Sequence, residues 1–146
     1  MTRVRRARGL RSRAGQAVVE FALILPVFMV LVSGALEFGR VFSNMHQLTT
    51  VARCGARVGC LPGEVEDDVN SAVAGFMEAA NLSGHTTTTV VSDPTGATRS
   101  GGLIDAQEGD TVTVTVAYPF APFTGGIVPG LNSTVTLHGR CAFRRE

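Results

Sequence analysis

The sequence predicts an α+β protein: a long N-terminal transmembrane helix that continues into an extracytoplasmic domain holding a second helix and a small antiparallel sheet. Three observations carry this. Six arginines (Arg3, Arg5, Arg6, Arg8, Arg11 and Arg13) precede an apolar run to Leu36 in which Glu20 is the only charge. About twenty helical residues, rising roughly 1.5 Å each, span the roughly 30 Å hydrocarbon core of a bilayer. Beyond Leu61-Pro62-Gly63, one short amphipathic helix is followed by stretches in which Thr and Val alternate.

At 146 residues, the chain has room for one small domain plus an anchor. Its charge is uneven. No acid occurs before Glu20, whereas the part after Leu36 has 11 acids against 7 arginines, a formal −4. A basic arm before a span, attached to a mildly acidic domain, points to membrane topology rather than to nucleic-acid binding. The positive-inside rule puts the arm in the cytoplasm and the C-terminal domain outside. The expected division is a basic leader at 1–15, a transmembrane segment at 16–37 and an extracytoplasmic domain at 38–146.

Taking the elements in order, residues 1–15 read as a polar, glycine-punctuated arm without regular structure. A single helix is expected from about Gln16 to about Val58, roughly 60 Å long. Pro26 lies within it and removes the bond to the Ala22 carbonyl, so a kink is expected there. The second half is amphipathic, with Phe38, Val41, Phe42, Met45, Leu48 and Ala52 on one face. Ala52, Gly55, Ala56 and Gly59 allow close backbone approach, either to the protein's own sheet or to a neighbouring subunit. A second helix follows from about Val65 to Ala80, with Val69, Val73, Phe76, Met77 and Ala80 inward. Asp67 and Asp68 suit its first turn, where the dipole favours anions. Asn81 to Gly84 stops it.

Thr86 to Ser92 reads as a strand, then Asp93-Pro94-Thr95-Gly96 as a turn. Ser100-Gly101-Gly102 is loop, and Glu108-Gly109-Asp110 is a second turn. Thr111 to Tyr118 alternates with Thr outward and Val inward. Pro119 to Asn132 reads as an apolar loop carrying Phe120, Phe123, Ile127 and Val128. Thr134 to Phe143 alternates again, with Val135, Leu137, Cys141 and Phe143 on one face. Three antiparallel strands with one apolar face, covered by a long helix, complete the module.

The chemistry centres on Gly15-Gln16-Ala17-Val18-Val19-Glu20-Phe21. A carboxylate at the edge of a membrane span needs a partner. Cleavage after Gly15 would create an α-amine on Gln16, one turn from Glu20. Gly15-Gln-Ala-Val-Val-Glu-Phe-Ala-Leu-Ile-Leu-Pro26, then Glu37-Phe-Gly-Arg-Val41 and Ala52-Arg-Cys-Gly-Ala-Arg57, resembles the TadE/TadG-like pseudopilins of tight-adherence (Tad, or Flp) pilus systems. The ending Phe143-Arg144-Arg145-Glu146 fits as well. The resemblance covers residues 13–60 well and the rest loosely. It implies a pilin-like fold and a minor pseudopilin of a pilus assembly or secretion apparatus. Gly15 and Gln16 would form the site cut by a prepilin peptidase, and Glu20 and Phe21 would act in docking and assembly. The implied partners are membrane lipid, the peptidase, other pilin or pseudopilin subunits and inner-membrane pilus assembly proteins, with no nucleic acid. The implied location is the cell membrane, as a single-pass protein with a cytoplasmic N-terminus.

Two other readings of the N-terminus stay open: an unprocessed anchor, and a secretory signal peptide cut near Ser33-Gly34-Ala35. An unprocessed single-pass envelope protein with a ligand- or wall-binding outer domain is the alternative function. No cofactor is expected, and no enzyme: His46, His85 and His138 lack metal spacing, and there is no phosphate loop or nucleophile elbow. Glu64, Glu66, Asp67 and Asp68 read as a solvated helix start. Three cysteines lie in the outer part, where disulfides persist. In a helix, Cys54 and Cys60 would be about 9–10 Å apart at Cα, beyond disulfide reach. Cys60 falls near the apolar face and Cys141 on the apolar face of the last strand. Cys60–Cys141 is therefore the candidate disulfide, with Cys54 free or intermolecular; three buried thiols without a bond is the other possibility.

Overall fold

The computed structural model describes residues 10–123 and 134–146, with side chains from Gly15 onward. In chain order the elements are α1 (Leu10–Gly59), α2 (Glu66–Ala79), β1 (Thr86–Ser92), β2 (Thr111–Phe120) and β3 (Val135–Arg144). Helices and an antiparallel sheet in one chain make the α+β class expected from sequence. The chain divides into two units, Met1–Phe38 and Gly39–Glu146.

In the first unit, α1 begins at Leu10 rather than near Gln16, so the last residues of the arginine-rich arm are helical. No proline interrupts Leu10 to Ala14, and Leu, Arg and Ala all favour helix, which explains the earlier start. The helix continues through Pro26. It is long and apolar enough to cross a membrane. Its large apolar side chains, Phe21, Leu23, Ile24 and Phe28 among them, are exposed. Residues 1–9 of the expected arm lie outside the described residues.

In the second unit the sheet has the order β1-β2-β3, antiparallel throughout. Val112, Val114 and Val116 of β2 point inward and are fully buried. Beside them lie Val91 of β1 and Leu137 of β3, and across from them Leu48, Val51, Ala52 and Ala56 of α1 and Val69, Val73 and Met77 of α2. At roughly 25 cal/mol per Å² of apolar area, each fully buried Val or Leu contributes about 1.5–3 kcal/mol.

The buried stripe of α1 differs from the expected one. Phe38 is 79% exposed and Phe42 66%, and Met45 is also exposed, whereas Leu48 is fully buried. The inward residues are Leu48, Val51, Ala52, Gly55, Ala56 and Gly59. Small residues win this face because the backbone comes close to its neighbours. A Cβ on Gly55 would stand 2.8 Å from Val73 Cγ2 and 3.3 Å from Val114 Cγ1. One on Gly59 would stand 3.1 Å from Val112 Cγ1. The small-residue cluster therefore packs on the protein's own α2 and β2. On β3 the tightest point is Gly139, where a Cβ would come within 2.7 Å of Leu48 Cβ and closer still to the Leu48 carbonyl.

α2 has Glu66, Asp67 and Asp68 in its first turn, and Asp68 accepts the Val65 backbone N–H at 3.0 Å. Val69, Val73 and Met77 are buried as expected, but Phe76 is half exposed. The helix ends with Asn81 at φ 60, and the Leu82 N–H donates to the Met77 carbonyl at 2.9 Å.

β2 runs on through Pro119 and Phe120, which were expected to begin a loop. Beyond Ala117 it has no β1 partner, while Pro119 and Phe120 still pair with Thr136 and Val135 of β3. A proline with its missing N–H on an unpaired side breaks no ladder bond. Phe120 continues the inward alternation and is buried. Ile127 and Val128 of the expected apolar loop lie outside the described residues.

Candidate functional site

Gly15, Gln16, Glu20 and Phe21 all lie on α1, in its exposed first part. Apart from its chain neighbours and the helix's own backbone, no described atom lies within 4 Å of where a Gly15 Cβ would stand. The Gln16 side-chain amide (Nε2) donates to Glu20 Oε1 at 3.4 Å, one helical turn away. This is an exposed i, i+4 contact, long for a hydrogen bond, and it shows that the Glu20 carboxylate can turn back toward residue 16. Phe21 is exposed beside it. Carboxylate, amide and aromatic thus occupy two consecutive turns of an otherwise apolar helix.

Residues 15–57 match the family model described as TadE-like protein. Over this stretch the chain is similar to TadE-like proteins. The match runs from the glycine before Gln16 to Arg57 in the last turn of α1, and TadE-like proteins are associated with Tad pili. No curated protein and no solved structure gives a significant match.

The TadE-like stretch therefore coincides with most of α1 and with little of the sheet that α1 packs on. Within it, Arg40 of the Glu37-Phe38-Gly39-Arg40 motif places its guanidinium 5.2 Å from the centre of the Phe120 ring. A stacked pair of this kind stabilises by about 0.5–1 kcal/mol. The sequence singled out Arg40 as part of a motif and Phe120 as a loop residue. Their pairing was not legible, although the spacing Val116, Tyr118, Phe120 was a usable signal.

A second arrangement that sequence reading missed lies outside the TadE-like stretch. Asp110 is fully buried in the turn before β2. Arg99 grips its carboxylate with two donors, Nε to Oδ2 and Nη2 to Oδ1, the latter at 3.0 Å. The Gln107 backbone N–H donates to Oδ2 at 2.8 Å. The Arg99 side chain, then the Gln107 amide, hold the Asp110 carboxyl below its ordinary range against the opposing effect of burial. The Arg145 N–H donates to the Asp110 carbonyl and the Gly109 N–H to the Arg145 carbonyl, both at 2.8 Å, so this turn also holds the end of β3. Asp93 plays a similar local part. Its Oδ1 accepts from the Thr95 hydroxyl and from the Thr95 and Ala97 amides, and these bonds, the Thr95 hydroxyl foremost, lower its pKa. Both groups are structural.

Cys54, Cys60 and Cys141 are thiols in this structure. Cys60 and Cys141 both border the core cluster. Burial pushes the Cys60 thiol up, and the Arg145 charge partly offsets that. Gly55 packs on Val114, which pairs with Cys141, whereas Gly59 packs on Val112, which pairs with Phe143. Among the described residues, no group of three or more His, Cys, Asp or Glu side chains is placed to hold a metal ion.

Proposed function

We propose that the protein is a minor pseudopilin of a Tad/Flp-type pilus assembly apparatus, cut after Gly15 by a prepilin peptidase. The observation that carries this is the Gln16–Glu20 contact at the head of an exposed apolar helix. Cleavage of the Gly15–Gln16 bond leaves an ammonium on Gln16 one turn from the Glu20 carboxylate. The pair lowers the burden of placing either charge where lipid begins. On this reading residues 1–15 are the cytoplasmic leader, 16–37 span the cell membrane and 38–146 lie outside. Glu20 and Phe21 meet neighbouring pilin or pseudopilin subunits and the inner-membrane assembly proteins. In the outer compartment Cys60 and Cys141, both bordering one core, form the disulfide, and Cys54 stays reduced or links two chains.

Intact mass of the protein purified from its host tests the processing step. A chain beginning at Gln16 is expected. A chain that keeps Met1 would overturn the processing step and favour an unprocessed envelope anchor. Non-reducing peptide mapping of the same sample should join Cys60 to Cys141. Glu20→Gln is expected to leave membrane insertion intact and to reduce piliation at least ten-fold; wild-type piliation in that strain would remove the docking role.

A further inference from the structure

The outer face of the sheet is the surface of the second unit that neither helix covers. Strand alternation and register place its residues. Thr88 of β1, Thr115 of β2 and Arg140 of β3 form one cross-strand row, and Thr111 pairs with Arg144 in another. His138, Arg140 and Arg144 all point outward from β3 and are exposed. Among the described residues none of the three forms an ion pair. The three strands contain no aspartate or glutamate at all. Asp93, which lines the same shallow pocket as Arg144, is already held by its own turn. A unit rich in acids elsewhere thus keeps one face cationic and hydroxyl-lined.

We propose that this face binds an acidic polysaccharide, a glycan with carboxylates, sulfates or phosphates repeated along its chain. From His138 to Arg144 is about 20 Å, at a strand's rise of roughly 3.3 Å per residue. Charges strung along that length suit an extended polyanion. The acidic start of α2 in a second copy does not fit, because its carboxylates crowd within about one 5.4 Å helical turn. The hydroxyls of Thr88 and Thr115, on neighbouring strands about 4.8 Å apart, offer donors and acceptors to sugar hydroxyls. The inward alternation takes Tyr118, Phe120 and Phe143 to the other face, so the described strands present no Phe or Tyr there for stacking nucleic-acid bases. The outward apolar residues Val90 and Ala142 are too small to anchor the face in lipid. The proposal is independent of the pilus reading and stands or falls on the face alone.

The test uses the full chain in neutral-lipid nanodiscs, with the six leader arginines replaced by serine so that they supply no signal. Polygalacturonate is the probe, dextran the uncharged control and double-stranded DNA the competing polyanion. Binding to polygalacturonate but not dextran is expected, weakening as salt is raised. Arg140→Ser with Arg144→Ser should weaken it at least ten-fold without changing the thermal midpoint. Thr88→Val with Thr115→Val should lower polygalacturonate affinity several-fold and leave DNA affinity unchanged. Absence of binding at low salt, or equal binding by the arginine variant, overturns the site. DNA binding as tight as polygalacturonate binding overturns the assignment to a polysaccharide.

Discussion

The two parts of α1 are one helix in two surroundings. In the first, Phe21, Leu23, Ile24 and Phe28 are large and exposed. In the second, Ala52, Gly55, Ala56 and Gly59 are small and buried. Apolarity alone does not tell them apart; side-chain size does. Lipid is fluid and accepts bulk at any point around a helix, whereas a sheet is close-packed and rewards approach of backbones. The same property explains why Phe38 and Phe42 stay outside the buried stripe, despite falling near it by helical spacing.

Glycine substitutions offer the sharpest way to break this contrast. Gly139→Ala should have the largest effect, because the new methyl meets the Leu48 backbone and neither side can yield. A loss of about 3 kcal/mol or more is expected. It can be read from denaturant unfolding followed by Tyr118 fluorescence, the chain having one tyrosine and no tryptophan. Gly55→Ala meets side-chain methyls rather than backbone, Val73 Cγ2 first and Val114 Cγ1 next. Overpacking of about 2 kcal/mol, offset by about 1 kcal/mol of helix propensity, leaves a net loss of about 1 kcal/mol. Gly34→Ala, with nothing near its new methyl, gains the same helix propensity without overpacking and should stabilise by up to about 1 kcal/mol. Equal effects at Gly34 and Gly139 would falsify the division into a loosely surrounded and a tightly packed half.

Acid tests the second unit differently. The folded-state pKa of Asp110 is depressed, chiefly by Arg99. Its contribution is therefore present above the unfolded value of about 3.9 and is lost as pH falls through the lower folded value. Asp110→Asn should lower the melting temperature at neutral pH. The gap to the native chain should close as pH drops below about 4. A constant gap across that range would show that the carboxylate's charge plays no part.

Much of this was legible beforehand, because it rests on local pattern. The strand Thr86–Ser92, the inward valines of β2 and the buried Val69, Val73 and Met77 of α2 follow from periods of 2 and 3.6. The start of α1 at Leu10 was missed, since a charged arm was read as unstructured when its residues favour helix. Phe120 was missed because a proline beside it suggested a loop, and only the missing β1 partner makes that proline harmless. Gly139 and Asp110 were passed over for a different reason. A glycine in a strand and an aspartate in a turn are ordinary in sequence, and their importance comes from Leu48 and Arg99, residues distant along the chain.

By itself the sequence determined the membrane-length helix, the carboxylate one turn past Gln16 and the alternation of the strands. These depend on composition and spacing within a few turns, and local sterics and hydropathy are sufficient to produce them. Tertiary structure alone decided which face of α1 meets the sheet, that Gly139 must lack a side chain, that Asp110 is gripped by Arg99, and that the cations of β3 gather on an uncovered face. Each of these brings together residues far apart in the chain, and contact at that range is set by how closely the elements can pack.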